Sequence, residues 1–217
     1  MKAKKAAKGE KRLVPAPLAH LKRTDPVLYR ASLPHAQEIL ARSGHRRSYQ
    51  QLFDSLAGSI VSQQLSTKAA DTIWNRLKAA CGGQVTPEAI MRLRAPTLRK
   101  AGLSAAKAKS LKELSKAVIS GELKLEKLKK IPEDEAIAQL VAIWGIGRWT
   151  AEMFLMFALE REDVFSPGDL GLRRSMEELY SLPKDIPLKE LEAIAQRWSP
   201  HRTFASRVLW RLRDSKP

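Results

Sequence analysis

One aspartate stands where the chain could present a carboxylate to a substrate. Asp169 follows the turn Ser166-Pro167-Gly168 and precedes an apolar helical run. An aspartate at such a place is a good helix N-cap. An ionised carboxylate there could also stabilise positive charge that develops in a transition state, and could orient an attacking water. The two roles are compatible, so the position alone leaves both open.

A second informative segment is a tight turn between two apolar helices. In residues 140–151, Gly145-Ile146-Gly147 separates one helix end from the start of the next. Both glycines can take positive φ, and without side chains they would let the backbone N–H groups that follow, from Arg148 to Thr150, approach a phosphate oxygen. A bare Gly-x-Gly equally suits a close crossing of two helices, so the motif needs context.

The charge of the chain predicts an anionic partner. The 217 residues carry a formal net charge of +16, and the pI is ≈ 10.2. Residues 1–17 are predicted to form a basic arm without regular structure, and the remainder is itself basic. Neutralisation of phosphates by Lys and Arg drives binding to nucleic acids, although a ribosomal or membrane-surface protein would show the same balance. No segment matches a membrane helix or a signal peptide, so we expect an intracellular protein, in the cytoplasm of a prokaryote or the nucleus of a eukaryote.

The elements that must position these residues are predicted to be helices. Apolar side chains recur at spacings of three and four, no segment alternates as a strand does, and the fold class is therefore all-α. Later helices are predicted at about 104–119, 132–140, 187–197 and 202–213. The single cysteine, Cys81, excludes an internal disulfide and a four-thiolate iron–sulfur cluster.

Four segments together resemble the helix-hairpin-helix superfamily of DNA glycosylases. Residues 140–151 resemble the hairpin of that family, 165–172 its catalytic loop, 60–70 its helix–loop–helix that inserts into DNA, and 198–205 the C-terminal signature of its AlkA-type branch. The motifs occur in the order of the family, and Asp169 follows the second hairpin glycine by 22 residues.

The resemblance implies a two-lobed fold. A helical barrel lobe would span 48–162 and end in the helix-hairpin-helix at about 134–158. A second lobe would combine residues 18–47 with 163–217. The N-terminal α/β domain of longer relatives has no counterpart, so the chain resembles a minimal form of the branch.

The resemblance also implies an activity. It is that of a monofunctional glycosylase that flips alkylated bases, such as 3-methyladenine and 7-methylguanine, out of damaged duplex DNA and releases them in base excision repair, with Asp169 as the catalytic carboxylate. Bifunctional members carry a Schiff-base lysine two residues after the second hairpin glycine, whereas this chain has Trp149, whose indole face suits a cationic base. We therefore expect no lyase activity. Because an alkylated base is already activated to leave, no cofactor and no second acid are required, and Glu152 is interpreted as surface charge.

The resemblance implies the following site residues. The base pocket would be lined by Trp149, Ser62, Gln63, Tyr49, Phe165, Trp144 and Trp210. DNA would be bound by Gly145, Gly147, Arg148 and Thr150, and Gln64 and Leu65 would fill the gap left by the flipped base. The family hairpin often binds Na⁺ or K⁺ through main-chain carbonyls, which here would be those of Val141, Ile143 and Ile146. A monomer is expected.

Two other classes of function remain open. A non-catalytic helix-hairpin-helix DNA-binding module would keep the Gly-x-Gly turn but would not need Asp169, Trp149 and the Gln63-Gln64 break together. A glycosylase for an oxidised or deaminated base would share every backbone feature and differ only in the walls of its pocket.

Overall fold

The architecture is helical throughout the part of the chain that the structure describes. The structure, a computed structural model, describes residues 14–41 and 47–215, and every regular element in these ranges is a helix. The predicted all-α class is confirmed. Most of the predicted basic arm, residues 1–13, lies outside the described residues, and the first helix begins at Ala16, slightly before the predicted end of the arm at residue 17.

Thirteen α-helices follow one another in these described ranges. The first group is α1 (Ala16–Thr24), α2 (Pro26–Ser32) and α3 (Ala36–Ala41). The central group is α4 (Tyr49–Ser62), α5 (Thr67–Ala80), α6 (Pro87–Arg92), α7 (Ala95–Lys100), α8 (Ala105–Ile119), α9 (Glu133–Val141) and α10 (Arg148–Met153). The last group is α11 (Leu170–Leu179), α12 (Leu188–Ala195) and α13 (Arg202–Asp214). The helices predicted at 104–119, 132–140, 187–197 and 202–213 correspond to α8, α9, α12 and α13.

Short segments of other helical types join these elements. Turns of 3₁₀-helix lie at Lys127–Lys129 and Gln196–Trp198, and α10 continues as a π-helix over Phe154–Ala158. A π-helical segment widens the turn and is often found at functional sites. Here it carries one wall of the cleft described below.

The buried apolar side chains form two clusters. One cluster draws its residues from the stretch between Leu52 and Val164, and the other from Leu18 to Ile39 together with Phe165 to Leu209. Trp210 packs against both clusters. The chain therefore passes from one cluster to the other just before the turn that carries Asp169. In residues 14–41 and 47–215, no helix combines the length and apolar character needed to cross a membrane.

The second cluster encloses a buried carboxylate. Asp25 is 2% exposed, and its Oδ1 accepts a hydrogen bond from the backbone N–H of Leu28 at 3.0 Å. Its Oδ2 accepts from the Tyr180 hydroxyl at 2.7 Å and from the Trp198 indole at 2.9 Å. Burial, together with this carboxylate, raises the pKa of the Tyr180 phenol above its ordinary value. One side chain thus links α2 to the segments that end α11 and α12.

Removal of this carboxylate should destabilise the fold. We expect Asp25→Ala to lower the free energy of unfolding by about 2–4 kcal/mol, because two buried donors and one partly buried donor lose their acceptor. Urea denaturation monitored by circular dichroism measures the loss. Asp54→Ala, which removes a partly exposed carboxylate bonded to Gln50, is the matched control and should cost less than about 1 kcal/mol. Equal losses in the two variants would contradict the structural role of Asp25.

Candidate active site

The carboxylate of Asp169 is held by three donors. Its Oδ2 accepts a hydrogen bond from the Trp149 indole at 2.7 Å. Its Oδ1 accepts from the Trp210 indole at 2.9 Å and from the backbone N–H of Leu172 at 2.9 Å. An indole N–H and a backbone N–H can only donate, so this environment suits the ionised carboxylate, which only accepts. The predicted N-cap is present, since the Leu172 bond caps the start of α11.

The three donors come from separate elements. Trp149 lies in the first turn of α10, Trp210 lies on α13, and Leu172 belongs to α11, which Asp169 itself caps. Gly171 lets the indole approach, because a Cβ there would lie 3.2 Å from Trp210 Cδ1 and 3.0 Å from Asp169 Oδ1. The position of the carboxylate is therefore fixed by the packing of both clusters.

Asp169 faces a cleft of about 390 Å³. Its apolar and aromatic walls are Ile39, Trp149, Met153, Phe157 and Trp210. Its charged lining consists of Asp169, Glu38, Arg207, Arg211 and Asp214. The ring centroids of Phe157 and Trp210 lie 5.6 Å apart, and Trp149 remains 53% exposed. Three aromatic side chains beside a carboxylate suit a planar ligand that carries positive charge.

Glu152 is buried, so its interpretation as surface charge is wrong. Its side chain is 2% exposed, Oε1 pairs with Arg148 Nε at 2.8 Å, and Oε2 accepts from the Ser166 hydroxyl at 2.5 Å. It was interpreted as surface charge because release of an alkylated base needs no second acid. The loop that leads to Asp169 instead folds over this face of α10, a tertiary contact that the local pattern does not contain.

The two hairpin glycines differ in conformation. Gly145 has φ of +88°, and a Cβ there would overlap Ser110 Oγ on α8. Gly147 has φ of −86°, and a Cβ there would meet nothing within 4 Å. Positive φ was predicted to be accessible to both, but only Gly145 uses it. Gly145 is therefore required by the turn, whereas Gly147 leaves open surface at the start of α10.

The other predicted DNA contacts of the hairpin are placed unequally. The Arg148 side chain is 60% exposed even though it pairs with Glu152. Thr150 is only 6% exposed, so its side chain is not available as a surface contact and only its backbone N–H could serve. Of the four predicted hairpin contacts, Gly145, Gly147 and Arg148 are thus exposed, whereas the Thr150 side chain is buried.

The break between α4 and α5 lies beside the hairpin. Gln63 Nε2 donates to the Gly145 carbonyl at 3.1 Å, and Gln64 adopts φ of +55°. The Lys107 ammonium donates to the carbonyls of Val61 at 2.9 Å and Gln63 at 2.7 Å, and burial lowers the pKa of this lysine. Gln64 and Leu65 project from this braced turn, and Leu65 is 38% exposed.

Several predicted pocket residues lie elsewhere. Tyr49 is the first residue of α4 and lies at the opposite end of that helix from Ser62 and the break. Burial, together with the nearby charges of Glu88 and Glu126, raises the pKa of its phenol. Phe165 is 4% exposed and packs edge-on against Trp198 at 5.7 Å in the second core. These two residues do not line the cleft that contains Asp169.

The other predicted pocket residues that do not line the cleft, Trp144, Ser62 and Gln63, lie in the hairpin or at the α4–α5 break. Trp144 is 47% exposed, with the Lys109 ammonium 4.4 Å from the ring centroid. Ser62 donates to the Ser59 carbonyl, and Gln63 is engaged with Gly145. Of the seven predicted pocket residues, the structure brings only Trp149 and Trp210 to Asp169.

Sequence reasoning missed most of the cleft walls. Met153 and Phe157 follow Trp149 at intervals of four, so helical spacing from Trp149 could have indicated them. Arg207 and Asp214 lie on the same face of α13 as Trp210, at offsets of three and four. Glu38 and Ile39 come from α3, whose approach to the cleft has no local signal.

The Trp210 indole should affect the reactivity of Asp169. Replacing Trp210 by Phe retains an aromatic wall but removes the donor to Oδ1, which keeps only the Leu172 N–H. We expect the chemical step to be about tenfold slower, equivalent to about 1.4 kcal/mol. Single-turnover kinetics with excess enzyme measures the change. Trp74→Phe, in the other cluster, should leave the rate unchanged; an equal loss in that variant would attribute the effect to general destabilisation.

Sequence comparison identifies relatives over most of the chain. A family profile described as HhH-GPD superfamily base excision DNA repair protein matches residues 57–201. The DNA-3-methyladenine glycosylase 1 of Schizosaccharomyces pombe is 41% identical over 167 residues, which cover 73% of this chain and 71% of that protein. The DNA-3-methyladenine glycosylase of Saccharomyces cerevisiae is 30% identical over 195 residues, covering 74% of this chain and 66% of that protein.

Solved structures show the same architecture. The crystal structure of a DNA-3-methyladenine glycosidase from Bacillus halodurans superposes with a TM-score of 0.80 at 34% identity, covering 93% of this chain and 90% of that chain. The S. pombe 3-methyladenine DNA glycosylase in complex with abasic DNA superposes with a TM-score of 0.70 at 32% identity, covering 91% and 96%.

Proposed function

The chain belongs to the HhH-GPD superfamily of base excision DNA repair proteins, and we propose that it is a monofunctional DNA glycosylase that releases alkylated bases from duplex DNA. Bases of this kind are 3-methyladenine and 7-methylguanine. The observation that carries the proposal is the Asp169 carboxylate, held by three donors at an aromatic cleft. Relatives named for 3-methyladenine support the choice of substrate class.

The chemistry of the reaction requires one carboxylate. The bond between C1′ and the base nitrogen breaks, and its electron pair leaves with the base. Positive charge develops on the sugar, where the Asp169 carboxylate stabilises it and orients water. The water oxygen bonds to C1′, and the water proton passes to solvent. A base that is already cationic leaves as a neutral molecule, so no general acid is needed.

The aromatic walls of the cleft favour a positively charged base. Trp149, Phe157 and Trp210 offer aromatic surface, and a cationic base gains cation–π attraction there that a neutral base does not. Alkylation also weakens the glycosidic bond. Both effects favour alkylated purines over undamaged ones, and neither requires base-specific hydrogen bonds.

The lining of the cleft supports a hydrolase without lyase activity. A lyase step through a Schiff base needs an amine at the sugar carbon, and the described residues that line the cleft include arginines but no lysine. The position two residues after Gly147 is Trp149. The Lys107 ammonium donates to the carbonyls of Val61 and Gln63 at the α4–α5 turn.

The DNA-binding face comprises the hairpin and the α4–α5 break. Gly147 and Arg148 would approach a phosphate, and Gln64 or Leu65 would enter the space that the flipped nucleotide leaves. Because one chain supplies the carboxylate, the cleft and this face, we expect a monomer to act on intracellular DNA.

The hairpin carbonyls suit a monovalent cation. Apart from regular helical hydrogen bonds, the carbonyls of Val141 and Ile146 accept no hydrogen bond from a backbone N–H of the described residues. The carbonyl of Ile143 accepts one from the Ile146 N–H at 3.0 Å. Uncharged carbonyl oxygens of this kind bind Na⁺ or K⁺. Val141, Ile143 and Ile146 would hold the ion, which would supply positive charge near a bound phosphate. The chemical step at Asp169 requires no cofactor.

Release of free base from methylated duplex DNA tests the proposal. We expect the purified protein to release 3-methyladenine or 7-methylguanine, detected by chromatography, and to leave strands that break only after alkali treatment. Duplexes of the same sequence with 8-oxoguanine or uracil are the controls. Release from those controls alone would indicate a glycosylase for another lesion. Tight binding without release from any substrate would indicate a non-catalytic module, and breaks before alkali treatment would indicate a lyase.

A further inference from the structure

A fully buried acid lies behind the loop that carries Asp169. Glu152 is 1% exposed and Ser166 is 0% exposed, and the Ser166 hydroxyl donates to Glu152 Oε2. The other carboxylate oxygen pairs with Arg148 Nε. Burial of a carboxylate is costly unless all its oxygens find partners. The reaction proposed above does not use Glu152, so its burial calls for another reason.

Ser166 connects Glu152 to Asp169. The Ser166 carbonyl accepts the backbone N–H of Asp169 at 3.1 Å, which closes the turn 166–169. The side chain of Ser166 therefore binds Glu152 while its main chain binds Asp169. The turn leads directly into Asp169, so a shift of Ser166 would also shift the backbone of Asp169 and with it the carboxylate.

Helix α10 holds the loop at both ends. Glu152 binds the first residue of the turn, and Trp149, three residues earlier on the same helix, donates to Asp169 Oδ2 at the last. Residues three apart on a helix share a face. One face of α10 therefore contacts both the first and the last residue of the turn from Ser166 to Asp169.

We propose that Glu152 is a positioning residue that, through Ser166, holds the Asp169 carboxylate in register with Trp149. The inference rests on the proposed function, because the rate it affects is that of base release. Arg148, in the exposed hairpin, pairs with the same acid. The register of the carboxylate is therefore set relative to the hairpin, the part of the chain that contacts the DNA backbone.

Ser166→Ala is the sharpest test, because it removes one hydroxyl and leaves the Arg148–Glu152 pair. Ser115→Ala is the matched control: Ser115 is also 0% exposed, but its hydroxyl bonds Leu111 within α8. We expect Ser166→Ala to slow single-turnover base release about tenfold with DNA affinity within twofold of wild type. Ser115→Ala should leave the rate unchanged. Glu152→Gln should retain most of the rate, since its amide can donate to the Ser166 oxygen and accept from Arg148, whereas Glu152→Ala should not.

A second readout does not depend on activity. The Trp149 indole N–H signal in a ¹H–¹⁵N NMR spectrum, assigned with Trp149→Phe, should move in Ser166→Ala and stay in place in Ser115→Ala. An unmoved Trp149 signal, or a rate equal to that of Ser115→Ala, would overturn the inference. If the wild type releases no base from any substrate, the proposed function fails, and the indole signal alone decides whether Glu152 positions Asp169.

Discussion

Replacing Asp169 by asparagine should slow base release by about a hundred- to a thousandfold, the range of losses when one electrostatic stabiliser of a transition state is removed. Asparagine has the same shape and is an equally good N-cap, so the bond to the Leu172 N–H can persist. It has no negative charge to stabilise the sugar cation. When the amide oxygen keeps the bonds from the Leu172 N–H and the Trp210 indole, the NH₂ group faces the Trp149 indole donor, so one hydrogen bond is replaced by a donor–donor contact.

The measurement is single-turnover release of 7-methylguanine, with DNA affinity and thermal unfolding followed in parallel. Affinity for duplex DNA should stay the same or increase, since removing a negative charge from the cleft cannot weaken attraction to phosphates. Asp134→Asn, a matched change at an exposed carboxylate of α9, should affect none of the three quantities. A rate within tenfold of wild type would mean that Asp169 acts only as the N-cap of α11.

The parts of this site that were predictable are those with short-range causes. The turn before Asp169, its capping role and the helices on either side of Gly145 are specified by neighbouring residues, and the structure contains each of them. Trp149 lies in the first turn of the helix that Gly147 caps, so its place beside the glycines also follows from local sequence. Such features need no knowledge of how distant helices pack.

The predictions that were wrong all required tertiary packing. Tyr49 and Ser62 lie at opposite ends of α4, and a helix of 14 residues is about 20 Å long, so both could not line one pocket. Phe165, the first residue of the segment that resembles the catalytic loop, was predicted as a pocket wall. In the structure it turns into the second core, where Trp198 covers it. The neighbouring residues in the sequence do not indicate where the side chains of Tyr49 and Phe165 point in the folded protein.

Glu152 shows the same limit for charge. Four residues from Arg148 on a helix, it has the spacing of an ordinary exposed ion pair, which contributes little to stability. Its burial becomes apparent only once the loop at Ser166 is placed against α10. In the structure, Glu152 is therefore linked through Ser166 to the backbone of Asp169.

Replacing Gly145 by alanine should disrupt the hairpin, whereas the same change at Gly147 should not. At Gly145 the new side chain would adopt φ of +88° and overlap Ser110 Oγ on α8. We expect a loss of about 2–4 kcal/mol in the free energy of unfolding, from the unfavourable φ and the displaced serine together. Adding Ser110→Gly should recover part of the loss, because it removes the overlap and leaves the backbone penalty.

Gly147→Ala then separates folding from DNA binding. Its φ of −86° suits alanine and no atom lies within 4 Å of the new methyl group, so urea denaturation should match that of the wild type. If a phosphate approaches this surface, the methyl group holds it away, and affinity for duplex DNA should fall about tenfold, or about 1.4 kcal/mol. Binding is measured by fluorescence anisotropy at fixed salt. Unchanged affinity in a folded Gly147→Ala variant would place the phosphate elsewhere, and the glycines would then serve only the helix crossing.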